Sequence, residues 1–89
     1  MRQAEKRPLA SFQIKAARAL LGWTASELSR QSAVSLRTIQ RAEVQETSMT
    51  AANDLAVRRS LEAAGVEFID ENGGGPGVRL RKRQRSKKT

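Results

Sequence analysis

The sequence contains no cysteine, no histidine and no tyrosine, and its aromatic side chains amount to one Trp and two Phe. Without cysteine there is no disulfide staple and no thiol chemistry. Without cysteine and histidine together, the usual zinc, haem and iron–sulfur sites are excluded, and so is any imidazole acid–base pair. No metal or cofactor is expected. Nine acidic residues are present, but they form no recognisable nucleophile or metal pattern. The stretch Gly73-Gly74-Gly75-Pro76-Gly77 lacks the strand–loop–helix setting of a phosphate loop and reads as a turn. An enzyme is therefore not expected. No apolar run approaches the roughly 20 residues of a membrane span, and the N-terminus has no signal-type apolar stretch, so a soluble, cytoplasmic chain with no membrane contact is anticipated.

What is abundant is positive charge. In 89 residues, 17 Lys and Arg face nine Asp and Glu, a formal net charge of +8. Seven of the basic residues (Arg79, Arg81, Lys82, Arg83, Arg85, Lys87, Lys88) fall in Arg79–Thr89, which has no acid, leaving +1 for residues 1–78. The basic character is a tail and not a basic globule. With no apolar residue after Leu80, residues 82–89 are expected to be disordered; they are either an electrostatic arm for nucleic-acid phosphate or a solubilising terminus.

Helical periodicity begins at Ser11, a candidate cap, and runs to Gly22, a left-handed stop, with Ile14, Ala17, Leu20 and Leu21 on the inner face. Residues 1–10, charged and containing Pro8, read as a flexible arm. Thr24 and Glu27 form a capping-box pattern, and Trp23 and Leu28 a hydrophobic staple. The same grammar recurs with Ser35 as cap and Val34 and Ile39 as staple. Gln31 to Val34 leaves space for only a three- or four-residue turn, the pattern of a helix-turn-helix. After a polar connection over 44–49, Thr50 or Ser48 opens a fourth helix, with Val57, Leu61 and Ala64 inside and Gly65 ending it. The period then changes to two: Val66–Asp70 and Val78–Arg81 read as strands around a Gly-rich turn. The predicted fold is mainly α. Four helices form a helix-turn-helix domain over 11–65, and a short β-hairpin follows over 66–81.

On the third predicted helix, with Ile39 as the buried reference, Arg37 and Arg41 point outward one turn apart. Thr38 and Gln40 flank them, and Leu36 is exposed at the first helical position. Arg bonds guanine O6 and N7 bidentately, Gln bonds adenine N6 and N7, and Leu meets a thymine methyl. An ordinary solvated face has similar residues, so the tight turn and the charged tail give the pattern its weight.

Residues 14–43, Ile-Lys-Ala-Ala-Arg-Ala-Leu-Leu-Gly-Trp-Thr-Ala-Ser-Glu-Leu-Ser through Val34-Ser35-Leu36-Arg37-Thr38-Ile39-Gln40-Arg41-Ala42-Glu43, resemble the phage Cro/repressor-type (XRE family) helix-turn-helix. The stretch Leu61–Ile69 and its Gly-rich turn resemble small bacterial members of that family with a C-terminal strand pair, extending the coverage to about residues 11–81. The resemblance implies a lambda-repressor-like domain acting as a sequence-specific double-stranded DNA-binding regulator, a repressor or autoregulator associated with the nucleoid. It implies Leu36, Arg37 and Arg41 as base readers, with Thr38 and Gln40 beside them, and Thr24 at a phosphate. Ser35, Lys15 and Arg30 are further phosphate candidates; a solvated helix charge is the competing reading for the last two. A structural ion pair of Arg18 with Glu43 is also implied. Two departures stand out: Ala25 follows the cap where the family often has Gln, and Ala33 occupies the turn where it often has Gly.

A single such unit reads few base pairs, and a chain this short buries only about 60–65% of its unfolded surface. A homodimer on a palindromic operator is therefore expected. Leu55 is one interface candidate. Val66, Phe68, Val78 and Leu80 either form a sheet across the two-fold or cap their own helix bundle. The alternative is a protein-interaction module, antitoxin- or anti-activator-like, whose strands pair with another protein.

Overall fold

The computed structural model describes residues 8–45, 49–70 and 73–81. Residues 1–7 of the expected arm, the possible cap Ser48 and the tail at 82–89 lie outside them. The chain forms α1 (Ser11–Leu21), α2 (Ala25–Ser32), α3 (Leu36–Ala42), α4 (Ala51–Ala63), β1 (Val66–Ile69) and β2 (Gly77–Leu80). This is a mainly α arrangement with a C-terminal antiparallel hairpin.

Local chemistry explains most of the boundaries. Thr24, Ser35 and Thr50 are extended N-caps whose hydroxyls accept the amides of Glu27, Thr38 and Asn53; each such cap contributes about 1 kcal/mol. Gly22 ends α1 with φ +72°, a left-handed value that costs glycine little. The cap of α1 differs from the sequence expectation. Ser11 is its first helical residue and Ala10 its cap; no side-chain oxygen caps the first turn, the Gln13 amide donates to the Ala10 carbonyl at 2.9 Å, and Gln13 Oε1 in turn accepts the Ala10 amide at 2.9 Å. The capping box of α2 is half formed. Thr24 caps Glu27, but the Glu27 carboxylate accepts hydrogen bonds from Arg30 and Gln31 instead of returning to the Thr24 amide.

The core is shared by every element. Ile14 and Ala17 of α1, Leu28 of α2, Ile39 and Ala42 of α3, and Val57 and Leu61 of α4 are buried, together with Val34 between α2 and α3. Full burial of one such Leu or Ile contributes about 1.5–3 kcal/mol. Three expectations are corrected here. Leu20, read as inward, is 42% exposed, and Ala64 is exposed as the C-cap of α4; each lies where no element packs against it. Conversely, the arm is not free up to Ala10: Leu9 is buried, and its amide donates to Asp54 Oδ1 at 3.0 Å.

The hairpin pairs Val66 with Leu80, Glu67 with Arg79, Phe68 with Val78 and Ile69 with Gly77. A two-stranded sheet is marginal alone, and this one packs against α1 and α4. Val66 is fully buried, and Phe68 and Val78 lie against the core. The sheet thus covers its own bundle, the second of the two arrangements left open for Val66: this already buried side chain has no surface to offer a second chain. Gln13 Nε2 donates to the Gly77 carbonyl at 2.9 Å, and Arg81 Nη2 donates to the Glu62 carbonyl at 2.7 Å. The buried Arg58 guanidinium lies 5.2 Å from the centre of the Phe68 ring, within cation–π range.

Candidate nucleic-acid interface

The Ser35 hydroxyl opens α3 by accepting the Thr38 amide at 3.2 Å and donating to Thr38 Oγ1 at 2.9 Å. Ile39 and Ala42 anchor the inner side. With those two residues inward, helical geometry leaves Arg37, Gln40 and Arg41 on the outside, and all three are exposed. Leu36 is 36% exposed, and Thr38 is half-buried with its hydroxyl engaged by Ser35.

Arg37, Gln40 and Arg41 line one shallow open groove together with Val44 and Gln45. The last two were not singled out in the sequence. The Arg41 carbonyl accepts the amides of both Val44 and Gln45, at 3.0 and 2.8 Å, which carries the turn of α3 past its end. Continuing the i, i+3, i+4, i+7 stripe from Arg37 would have found Val44.

The distribution of partners sets these guanidinium groups apart from four others. Arg18 is paired with Glu43, Arg30 with Glu27, Arg58 with Glu62 and Arg79 with Glu67. Arg37 and Arg41 have no carboxylate partner among the described residues. Hydrogen bonding to Gln31 and Arg30 holds the Glu27 carboxyl below its ordinary value, and Arg79 does the same for Glu67. These acids are thus occupied elsewhere, and the groove on α3 carries two positive charges with no carboxylate partner among the described residues.

The expected phosphate contacts are dispersed. Thr24 and Ser35 are exposed caps at the starts of α2 and α3, where first-turn amides lack intrahelical partners. Lys15 is exposed on α1, outside the groove. Arg30 is already engaged by Glu27, so a phosphate must compete for it.

The implied ion pair is formed. Arg18 Nε and Nη2 donate to the two Glu43 carboxylate oxygens at 2.6 and 2.9 Å. That hydrogen bonding raises the Arg18 pKa, against partial burial, which lowers it. Of the dimer candidates, Leu55 and Leu80 are exposed, whereas Val66, Phe68 and Val78 are spent on the core. Among the described residues, no group of three or more Asp, Glu, His or Cys is placed to hold a metal ion, and no helix is long and apolar enough to cross a membrane. No known family model matches the chain, and no curated protein matches it at a significant level.

Proposed function

We propose that the protein is a sequence-specific double-stranded DNA-binding transcriptional regulator of the Cro/repressor type, a repressor or autoregulator acting on the nucleoid in the cytoplasm. In this reading α2, the turn Ala33–Ser35 and α3 are the helix-turn-helix. Helix α3 enters the major groove with Arg37, Gln40 and Arg41 facing base edges, Leu36 meeting a thymine methyl and Thr38 flanking them.

One observation carries the reading. Two exposed guanidinium groups one turn apart line a groove with Gln40 and no carboxylate partner among the described residues, while Arg18, Arg30, Arg58 and Arg79 are ion-paired. A polyanion with hydrogen-bond acceptors on its base edges is the complement of that surface. Thr24, Ser35 and Lys15 contact phosphate, Arg30 after exchanging Glu27 for it, and the basic segment 82–89 adds a sequence-independent term. Two copies occupy half-sites of a palindrome.

The test is selection of binding sites from a random duplex pool by the full chain. The expected result is an enriched palindrome whose half-sites are spaced by about one helical turn, roughly 34 Å. Retention of random and selected duplexes with equal affinity would defeat the proposal.

A second reading rests on the hairpin. Its sheet has two strands among the described residues, so its outer edges are open to β-addition by another protein. Purification of the chain alone separates the two: a protein that binds DNA only with a co-purified partner favours this reading.

A further inference from the structure

Val44 is 78% exposed, the most exposed large apolar side chain among the described residues. A single exposed valine is ordinary, but this one lines the α3 groove with Arg37, Gln40, Arg41 and Gln45. Its place is fixed. The Arg41 carbonyl accepts the Val44 and Gln45 amides at 3.0 and 2.8 Å, so the helical track runs on past Ala42. A β-branched side chain has little freedom about its first torsion, and the Val44 methyls therefore form a fixed apolar patch at the C-terminal end of the groove. The neighbouring Glu43 carboxylate is held through both oxygens by Arg18.

We propose that Val44 is a methyl reader: it packs against the C5-methyl group of a pyrimidine in the major groove, thymine in ordinary DNA. The inference rests on the DNA reading above and adds to it the base edge met at the far end of α3. Whatever satisfies Arg37 and Arg41 fills the groove between them and takes water off Val44. A hydrogen-bonding group of a base edge set against a valine loses its partner, at a cost. The thymine C5-methyl is the one apolar group that the four base pairs present in the major groove. Arg37, Gln40 and Arg41 thus select by hydrogen bonding, and Val44 selects the methyl.

Helical rise places the contact. Val44 follows Arg37 by seven residues, roughly 10 Å at about 1.5 Å per residue. Base pairs stack about 3.4 Å apart, so the methyl lies about three base-pair steps from the guanine that Arg37 bonds. Leu36 stands at the opposite end of α3, so its thymine methyl and that of Val44 fall on different base pairs.

Uracil differs from thymine only by this methyl, and replacing one by the other leaves every hydrogen bond of the base pair in place. Each thymine of a duplex selected by the full chain is replaced in turn by uracil, and affinity is read by competition titration. In the parent chain one position per half-site, about three steps from the guanine sensitive to Arg37→Ala, is expected to lose about fourfold, the contribution of one buried methyl group. Val44→Ser, a change at an exposed position that leaves the fold intact, should bind the thymine and uracil duplexes equally. Leu36→Ala should keep the difference at this position. With cytosine placed there instead, 5-methylcytosine should bind the parent chain about fourfold more tightly than cytosine does. A selected duplex in which no uracil weakens binding overturns the proposal and leaves the DNA reading standing. So does a uracil penalty at that position that survives Val44→Ser. A chain that selects no sequence defeats both.

Discussion

Arg18 holds both carboxylate oxygens of Glu43, at 2.6 and 2.9 Å, while its Nη1 donates to the Trp23 carbonyl at 2.9 Å. One guanidinium thus joins α1, the turn before α2 and the end of α3. Both side chains of the pair are largely buried, 18% and 9% exposed. Removing one partner of such a pair strands the other charge away from water.

Glu43→Ala is therefore expected to cost about 3 kcal/mol, read as a lowered urea midpoint from the fluorescence of the single Trp, which packs against the core. Arg18→Lys should recover little, because an ammonium cannot reproduce the two-pronged contact. A loss below about 0.5 kcal/mol for Glu43→Ala would place the pair among surface ion pairs in energetic terms.

Ala33 sits between α2 and α3 at φ 62°. This left-handed conformation costs an L-residue roughly 1–2 kcal/mol, partly offset by the greater freedom glycine has when unfolded. The Ala33 amide donates to Ser29 and the Ser29 hydroxyl to Val34, so the turn keeps its shape without a side chain. Ala33→Gly should stabilise the domain by about 0.5–1 kcal/mol and raise the thermal midpoint by a few degrees. A lowered midpoint contradicts this account of the turn.

Arg37→Ala should relax preference at one base position by about 1–3 kcal/mol. Deleting residues 82–89 should weaken binding to every duplex and reduce the dependence of log K on log salt by about 0.9 for each phosphate the tail neutralises. Titrations of selected and random duplexes at several salt concentrations separate the two effects. Equal loss on both duplexes for Arg37→Ala would remove it from the base readers.

The ion pair between Glu67 and Arg79 ties the two strands at 3.1 Å on an exposed face. Arg79 lowers the carboxyl pKa in the folded chain from its ordinary value of 4.5. The folded state therefore releases this proton more readily than the unfolded state. Its contribution to stability is complete above the unfolded value and disappears as pH falls through the folded one. Glu67→Gln should leave a shallower fall of stability between pH 5 and acid than the parent shows, measured by thermal melts across that range. An unchanged pH profile would mean that the pair contributes nothing to stability.

The helix starts were legible in the chain because caps and staples are local: Thr24, Ser35 and Thr50 meet amides three residues away, and Gly22 needs only its own backbone freedom. The outward stripe of α3 was legible for the same reason, since 3.6-residue periodicity and one buried Ile39 orient Arg37, Gln40 and Arg41. Where a side chain ends up between elements is a different matter, because that depends on what lies opposite. Gln13 became buried only because the Gly77 carbonyl arrived from 64 positions away. Leu9 left the arm for the core through Asp54, and Leu20 stayed exposed because none of the described residues covers it. Arg58, unremarked in the sequence, entered the interior under Phe68. Short-range hydrogen bonding and periodicity determined the elements and the outward face of α3. The burial of Gln13, Arg58 and Val66 was decided by long-range packing, whose partners no local pattern specifies.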